Sequence, residues 1–123
     1  MCDTGRVLVV DDEEHIRHCL EYALDSCGYE VVTCASAQQA LDHCRKGPFD
    51  YVITDCNMEG MNGMELTKLL RAMHPRAVII GMSGDECGED FLLAGANDFR
   101  QKPFIPYEIA MMIDGSDLQG IEA

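Results

Sequence analysis

The sequence predicts an α/β fold in which a doubly wound parallel sheet carries helices on both faces. Strand-length apolar runs alternate with helical stretches along the chain, and this alternation is typical of β-α units whose strands pair in parallel. The chain has 123 residues, an ordinary length for one domain and too short for two. No linker or low-complexity tract divides it. We therefore expect a single domain over residues 1–123, with a core at about 5–114 and an acidic tail at 115–123.

Five apolar runs predict the strands of this sheet. Four of them are clear, and the fifth is the weakest because it is shorter and more polar. The runs cover Arg6–Val10, Glu30–Cys34, Tyr51–Thr54, Ala77–Met82 and Asp98–Arg100.

The stretches between the strands predict five helices. Apolar side chains recur at three- and four-residue steps from Ile16 to Cys27, and Gly28 follows where a helix C-terminus is expected. Ser36 is placed to cap the second helix, which Gly47 closes. The remaining helices are marked by Met64, Leu69, Leu70 and Met73 for the third, by residues 86–94 for the fourth and by residues 106–113 for the fifth.

The composition argues against nucleic-acid and membrane partners. The chain carries 9 Lys and Arg against 22 Asp and Glu, a net charge of −13, so its field repels phosphate backbones and anionic membranes. No apolar run reaches the roughly 20 residues that cross a bilayer, and the N-terminus lacks a signal-peptide pattern. We expect a cytoplasmic protein.

The chain contains 7 cysteines and no C-x-x-C pair. Most fall among apolar neighbours, so we interpret them as reduced core residues rather than as metal or redox groups. The 4 histidines are spread along helices, and we assign them no role.

Polar residues directly follow four of the strand runs. Asp11 and Asp12 follow the first run, Asp55 the third, Ser83 the fourth and Lys102 the fifth. Ligands of open parallel sheets bind outside the carboxyl ends of the strands. We therefore expect these side chains to share one site.

The chemistry of this set points to phosphoryl transfer. Clustered carboxylates repel each other unless cations are close, and both Lys102 and a bound metal can supply positive charge. Mg²⁺ prefers carboxylates together with water and phosphate oxygens. Between such cations, Asp55 can act as a nucleophile that forms an aspartyl phosphate, while the Ser83 hydroxyl helps to bind the phosphoryl oxygens.

Simpler interpretations exist for each residue. Asp12 can cap the helix that begins near Glu13, Ser83 can be an ordinary strand-end hydroxyl and Lys102 a solvated lysine. The segment from Asp55 also begins like an EF-hand loop, but Leu66 stands where that loop needs a bidentate glutamate.

These residues and their order resemble the receiver domains of bacterial two-component response regulators, over almost the whole chain. The resemblance rests on four motifs in the family's order and spacing: Val9-Val10-Asp11-Asp12-Glu13; Ile53-Thr54-Asp55-Cys56-Asn57-Met58 with Gly60, Met61 and Gly63; Gly81-Met82-Ser83-Gly84; and Gly95-Ala96-Asn97-Asp98-Phe99 leading to Lys102-Pro103-Phe104.

The resemblance implies a flavodoxin-like, chemotaxis-receiver-like sheet with strand order 2-1-3-4-5. It also implies that Asp55 accepts a phosphoryl group from a phosphohistidine on a sensor kinase or phosphotransfer protein and later loses it by self-dephosphorylation. Mg²⁺ or Mn²⁺ would be held by Asp11 or Asp12, by Asp55 and by the backbone carbonyl of Asn57. Beyond this self-directed chemistry, the chain would not be an enzyme.

The resemblance further implies a switch and an output surface. Ser83 would move towards the phosphoryl group and Phe99 would turn inward, which would change the partners of the face made by the fourth helix, fifth strand and fifth helix. Ser83 stands where threonine is commoner in the family. Asn57 and Asp85 lie two residues past Asp55 and Ser83, and we expect their small side chains to leave room for an attacking water.

Three other functions share parts of this pattern. A haloacid-dehalogenase-type phosphatase or phosphotransferase needs a second aspartate where this chain has Asn57. A flavodoxin-like cofactor carrier needs a phosphate loop after the first strand, which is missing. An unphosphorylated, receiver-like scaffold is disfavoured by the complete residue set. We expect a stand-alone or excised receiver, and Met1 and the acidic tail favour the former.

Overall fold

The sheet has the predicted architecture. The computed structural model describes residues 5–58, 60–84, 88–102 and 107–113. Its strands form one parallel sheet in the order 2-1-3-4-5, which confirms the predicted fold. The strands are β1 (Arg6–Val10), β2 (Glu30–Cys34), β3 (Tyr51–Asp55), β4 (Val78–Ser83) and β5 (Asp98–Gln101).

The helices also follow the predicted order. Asp85, residues 86–87 of the predicted fourth helix, Pro106 and the acidic tail lie outside the described residues. The helices are α1 (Glu14–Ser26), α2 (Ala37–Lys46), α3 (Gly63–Met73), α4 (Gly88–Ala94) and α5 (107–113).

Two apolar layers enclose the sheet because successive strand residues point to opposite faces. On one face, Leu8 and Val10 of β1 pack with buried side chains of α2, α3 and α4. On the other, Val7 and Val9 pack with buried side chains of α1 and α5. Covering both faces leaves the edge at the strand ends as the place for polar chemistry.

The helix ends are set by local hydrogen bonds. Ser36 caps α2 as predicted, with its side chain accepting a hydrogen bond from the Gln39 backbone N–H at 3.2 Å. A capping box of Asn62 and Glu65 begins α3, a signal that the sequence prediction missed. The N-cap of α1 is Glu13, so the interpretation of Asp12 as the cap is wrong.

The buried face of α3 includes only some of the apolar residues that marked it. Leu66 and Leu70 are fully buried, whereas Leu69 and Met73 are 43% and 37% exposed. The helix is therefore predicted correctly from its periodicity, and Leu70 lies in the core as expected, whereas Leu69 and Met73 do not.

The described cysteines are free. Cys34, Cys44 and Cys56 are buried, as expected of small core residues, while Cys19 and Cys27 are half-buried. Within the described ranges, no helix is both long enough and apolar enough to span a bilayer.

Candidate phosphoacceptor site

The carboxyl ends of four strands meet at one edge of the sheet. Asp11 directly follows β1, Asp55 ends β3, Ser83 ends β4 and Lys102 directly follows β5. The parallel register aligns these ends, with Val10 opposite Thr54 and Asp55 opposite Met82. Asp11, Asp55 and Ser83 are all buried, although polar side chains of this kind are usually exposed.

Lys102 connects the acidic residues at this edge. Its Nζ atom lies 3.1 Å from Oδ2 of Asp11 and 3.2 Å from Oδ1 of Asp55. It also lies 3.4 Å from Oε1 of Glu13. The side chain of Lys102 is 17% exposed. Because little water surrounds its ammonium group, its electrostatic attraction to the neighbouring carboxylates is stronger than at the surface.

Asp11 is held by contacts that orient its carboxylate. Its Oδ1 accepts a hydrogen bond from the Glu13 backbone N–H at 2.9 Å, which leaves Oδ2 for Lys102. The Arg17 guanidinium donates a hydrogen bond to the Asp11 carbonyl at 2.8 Å. The Asp11 backbone N–H donates to the backbone carbonyl of Cys34 at 3.2 Å. Both carboxylate oxygens and both backbone polar groups of Asp11 therefore have hydrogen-bond partners.

The loop that follows Asp55 is hydrogen-bonded to the neighbouring elements. The Cys56 N–H donates to the Met82 carbonyl at 2.8 Å, and the Gly63 N–H donates to the Cys56 carbonyl at 2.9 Å. A Cβ on Gly63 would run into the Asp55 backbone and the Phe91 ring. Glycine at position 63 therefore allows the start of α3 to pack directly against the backbone of Asp55.

Ser83 and Phe99 lie on adjacent strands next to this edge. Ser83 is fully buried, and its carbonyl accepts a hydrogen bond from the Lys102 N–H at 2.7 Å. Phe99 is half-buried and packs against the apolar layer under α4. Its ring occupies the space that a side chain at Gly88 would need, so Phe99 contacts the first residue of α4.

The electrostatics of the site raise three pKa values. Burial, followed by the charge of Asp11, raises the pKa of Asp55 from 3.8 to about 6, although Lys102 opposes the shift. Burial also raises the pKa of Asp11. Burial alone would lower the pKa of Lys102, but its hydrogen bond and charge interaction with Asp11, and then those with Asp55, outweigh burial and raise it. Lys102 is therefore held as a cation.

The donor set fits a hard divalent cation. One carboxylate oxygen from each of Asp11, Asp12 and Asp55 lies within 4.8 Å of the others. Asp12 is exposed, so water can reach this group and complete a coordination shell. A set of carboxylate oxygens open to water suits Mg²⁺ or Mn²⁺. The single positive charge of Lys102 does not neutralise three carboxylates, so the site favours a further cation.

Asn57 and Asp85 are the two residues predicted to affect dephosphorylation. Asn57 is exposed on the loop after Asp55, and Asp85 lies outside the described residues. Sequence reasoning missed Glu13 and Arg17, which contact Lys102 and Asp11. The position of Glu13 beside the acid pair was a signal for it, whereas the contact of Arg17 follows only from the packing of α1.

Comparison with known proteins identifies relatives of this chain. The family model described as the response regulator receiver domain matches residues 7–114. The alkaline phosphatase synthesis transcriptional regulatory protein PhoP of Bacillus subtilis is 33% identical over 107 residues, which cover 85% of this chain and 45% of that protein. The chain spans 15% to 58% of the length of the curated relatives it matches.

Solved structures agree with this result. A CheY-like response regulator receiver domain protein of Methanospirillum hungatei is 30% identical with a TM-score of 0.87, covering 96% of this chain and 98% of that one. The response regulator TrrA of Thermotoga maritima is 32% identical with a TM-score of 0.81, and the match covers 89% of this chain and 96% of that one.

Proposed function

This chain belongs to the response regulator receiver family, the signalling modules of two-component systems, and on that premise we propose that Asp55 is its phosphoacceptor. The observation that carries the proposal is the contact of Lys102 with both Asp55 and Asp11 at 3.2 Å and 3.1 Å. These contacts bring a nucleophilic carboxylate, a second acid and a fixed cation together at one edge of the sheet.

Asp55 has the ionisation that a nucleophile needs. With a pKa of about 6, it is mainly a carboxylate at neutral pH, and its attacking oxygen is therefore available. Its side chain is 7% exposed, so the carboxylate is largely shielded from bulk water. Lys102 remains beside it to pair with the charge of an incoming phosphoryl group.

Receiver domains bind Mg²⁺ at an acidic pocket, and we propose that Asp11, Asp12 and Asp55 provide carboxylate ligands here, with the backbone carbonyl of Asn57 as a further ligand. When bound, Mg²⁺ or Mn²⁺ supplies positive charge to the phosphoryl oxygens. The TrrA structure of Thermotoga maritima is a complex with Mg²⁺-BeF, which supports this assignment. Asp11 and Lys102 also orient each other through a hydrogen bond of 3.1 Å.

The phosphoryl donor is proposed to be a phosphohistidine on a sensor histidine kinase or a phosphotransfer protein. In this transfer an oxygen of Asp55 forms a bond to phosphorus while the phosphorus–nitrogen bond breaks, and the electron pair returns to the imidazole. Lys102 offsets the charge that remains on the phosphoryl oxygens. The Ser83 hydroxyl is proposed to bind one of them.

Loss of the phosphoryl group is proposed to occur by attack of water on the acyl phosphate. Asn57 is exposed beside the acceptor, so a small side chain at this position leaves an approach open for water. Asp85, two residues past Ser83 in the sequence, is likewise proposed to leave room for the attacking water.

The output is proposed to pass through the face made by α4, β5 and α5. Lys102 and Ser83 are joined by a backbone hydrogen bond of 2.7 Å, and Phe99 contacts Gly88 at the start of α4. Leu93 and Met111 on α4 and α5 are 85% and 67% exposed, so apolar side chains are available for a protein partner. The net charge of −13 supports a protein partner over nucleic acid or a membrane, and we propose that the chain acts in the cytoplasm.

The test is intact-mass spectrometry after incubation with Mg²⁺ and a small-molecule phosphodonor. We expect one phosphoryl adduct on the native chain and on Asp42→Asn, a control at an exposed aspartate of α2, and none on Asp55→Asn. Chelation of Mg²⁺ should abolish the adduct. Absence of an adduct on the native chain, with Mg²⁺ binding shown by calorimetry, would favour an unphosphorylated scaffold.

A further inference from the structure

The side chain of Arg17 joins the first turn of α1 to the end of β1. Its guanidinium donates a hydrogen bond of 2.8 Å to the backbone carbonyl of Asp11. Arg17 lies in the first turn of α1, and helical side chains tilt towards the helix N-terminus, so the long arginine side chain reaches back over that turn. Arg17 is half-buried, and its charge makes this hydrogen bond stronger than one between neutral groups.

The carbonyl that Arg17 binds belongs to the peptide group between Asp11 and Asp12. This group is planar, so the direction of its oxygen also sets the direction in which the chain continues to Asp12. The Asp11 side chain has its own partners in Lys102 and the Glu13 N–H. Asp12 is exposed, and no other residue in the described part of the chain pairs with its side chain. The position of the Asp12 carboxylate therefore depends on the backbone that Arg17 holds.

We propose that Arg17 is a positioning residue that sets the placement of the Asp11 and Asp12 carboxylates relative to each other. The inference rests on the proposed function, in which both carboxylates are ligands of Mg²⁺. One oxygen of each lies within 4.8 Å of the other and of an oxygen of Asp55. Mg²⁺ demands nearly octahedral geometry with ligands at about 2.0–2.1 Å, so a small shift of one carboxylate weakens its binding. Arg17 acts on the metal only through the peptide group.

The charge of Arg17 has the opposite effect on a bound metal. A guanidinium near the acidic site repels a divalent cation, so charge alone would make Arg17 unfavourable for Mg²⁺ binding. Burial raises the pKa of the Cys34 thiol to about 11, and the charge of Arg17 is among the smaller effects that oppose this rise. Its field therefore reaches the strand ends, and removing the arginine separates the two effects by the sign of the change in Mg²⁺ affinity.

The first test measures Mg²⁺ affinity by calorimetry in the native chain and in Arg17→Met, which keeps a long side chain but has no donor. We expect affinity to fall about tenfold or more, within the about 10–100-fold loss that is typical when a residue orienting a metal ligand is replaced. Arg17→Lys keeps a donor and should have an affinity between these two. Arg45→Met makes the same change in net charge at an exposed position of α2 and should keep native affinity.

A second measurement is made on the metal-free chain. The Glu13 N–H donates a hydrogen bond to Oδ1 of Asp11, next to the peptide group that Arg17 holds. In Arg17→Met we expect amide hydrogen exchange at Glu13 to be about tenfold faster than in the native chain. The amide of Ile53, at the centre of buried β3, should exchange at its native rate, which distinguishes a local change from unfolding.

The rate of phosphorylation separates positioning from a general loss of structure. At limiting Mg²⁺, adduct formation from a small-molecule phosphodonor should slow in Arg17→Met in proportion to the lost affinity. At saturating Mg²⁺ the rate should return to within about twofold of the native rate, because Arg17 makes no contact with Asp55 or Lys102. A distorted site would lower the rate under both conditions.

Native or tighter Mg²⁺ affinity in Arg17→Met would overturn the proposal. So would an equal loss of affinity in Arg45→Met, native exchange at Glu13, or a rate that stays low at saturating Mg²⁺. If the native chain bound no Mg²⁺, the proposed metal site and this inference would both be wrong. If it bound Mg²⁺ but formed no adduct, only the phosphoacceptor role would fail, since affinity and hydrogen exchange still decide the role of Arg17.

Discussion

The Nζ atom of Lys102 lies 3.2 Å from a carboxylate oxygen of Asp55, and the two residues come from strand ends 47 positions apart in the chain. Lys102 also contacts Asp11 and Glu13. One cation is thus shared among several carboxylates, and the site has a surplus of negative charge. This surplus determines how the site should respond to mutation, pH and metal.

Replacing Lys102 with methionine should weaken both stability and phosphorylation. The change leaves buried Asp11 and Asp55 without their cation, so we expect the free energy of unfolding to fall by about 2–3 kcal/mol. The rate of phosphorylation should fall about tenfold or more. Urea denaturation and mass spectrometry measure the two effects. Lys68→Met, at an exposed position of α3, is the control, and equal behaviour of the two variants would contradict the role of Lys102.

Replacing Asp55 with asparagine should stabilise the metal-free protein at neutral pH. The pKa of Asp55 is raised from 3.8 to about 6, so the folded state binds more protons than the unfolded state between these values. The contribution of Asp55 to stability is therefore favourable at low pH and is lost as pH rises to about 6. We expect Asp55→Asn to be more stable than the native chain by about 2 kcal/mol at pH 7.

The pH dependence of that difference is the critical measurement. In chelator-containing buffer, the stability gap between Asp55→Asn and the native chain should shrink as pH falls from 7 towards 4. A gap of constant size across this range would show that Asp55 is not a carboxyl with a raised pKa.

The two members of the acid pair should differ in their effects. Asp11 is buried and contacts Lys102, whereas Asp12 is exposed. Both Asp11→Asn and Asp12→Asn should weaken Mg²⁺ binding about tenfold or more. Asp11→Asn should in addition change the stability of the metal-free chain, while Asp12→Asn should leave it within about 0.5 kcal/mol.

Calorimetric titration with Mg²⁺ checks these affinities, with Asp25→Asn on the exposed face of α1 as the control. Native Mg²⁺ affinity in both acid-pair variants would place the metal elsewhere.

Gly63 should not tolerate a side chain. A Cβ at this position would lie 2.9 Å from Cζ of Phe91 and would also overlap the Asp55 backbone. We expect Gly63→Ala to lower the free energy of unfolding by about 1–3 kcal/mol. At Gly84 no atom lies within 4 Å of an added Cβ, so Gly84→Ala should change stability by less than about 0.5 kcal/mol. Similar losses in both would argue against close packing at Gly63.

Asn57 should control the lifetime of the acyl phosphate. Because this residue is exposed next to Asp55, a larger side chain should hinder the approach of water. We expect Asn57→Met to lengthen the lifetime severalfold and Asn57→Ser, which stays small and polar, to leave it near the native value. The decay of the phosphorylated species by mass spectrometry measures both, and equal lifetimes for all three proteins would refute this role.

The residues brought together at the sheet edge could be predicted from sequence because parallel strands end on the same side. Asp11, Asp55, Ser83 and Lys102 each stand at or directly after the end of an apolar run, and so the fold alone brings them close. The roles of Asp55, Lys102 and Ser83 in phosphoryl transfer were predicted from the chemistry of the set, and the family resemblance added the phosphohistidine donor and the switch.

Contacts made by the helices were harder to predict. Glu13 contacts Lys102 across 89 positions of sequence, and Arg17 reaches the Asp11 carbonyl only because of how α1 packs. Leu69 has the apolar character of a core residue but is 43% exposed. The sequence carried no signal for the contact of Arg17 or for the exposure of Leu69, since the orientation of each helix is set by tertiary packing.

The histidines show a different limit. They were considered as a scattered group, whereas His15 pairs with a cysteine four residues on, at 3.7 Å. This contact was missed because the histidines and the cysteines were considered separately.

The most direct test of the central claim is to locate the acyl phosphate at residue level. The phosphorylated chain is treated with a hydride reductant, which converts an aspartyl phosphate to homoserine, and is then digested and sequenced by tandem mass spectrometry. We predict homoserine at position 55 in the native chain and at no aspartate position in Asp55→Asn. Homoserine at another aspartate position of the native chain, with Asp55 unmodified, would contradict the account.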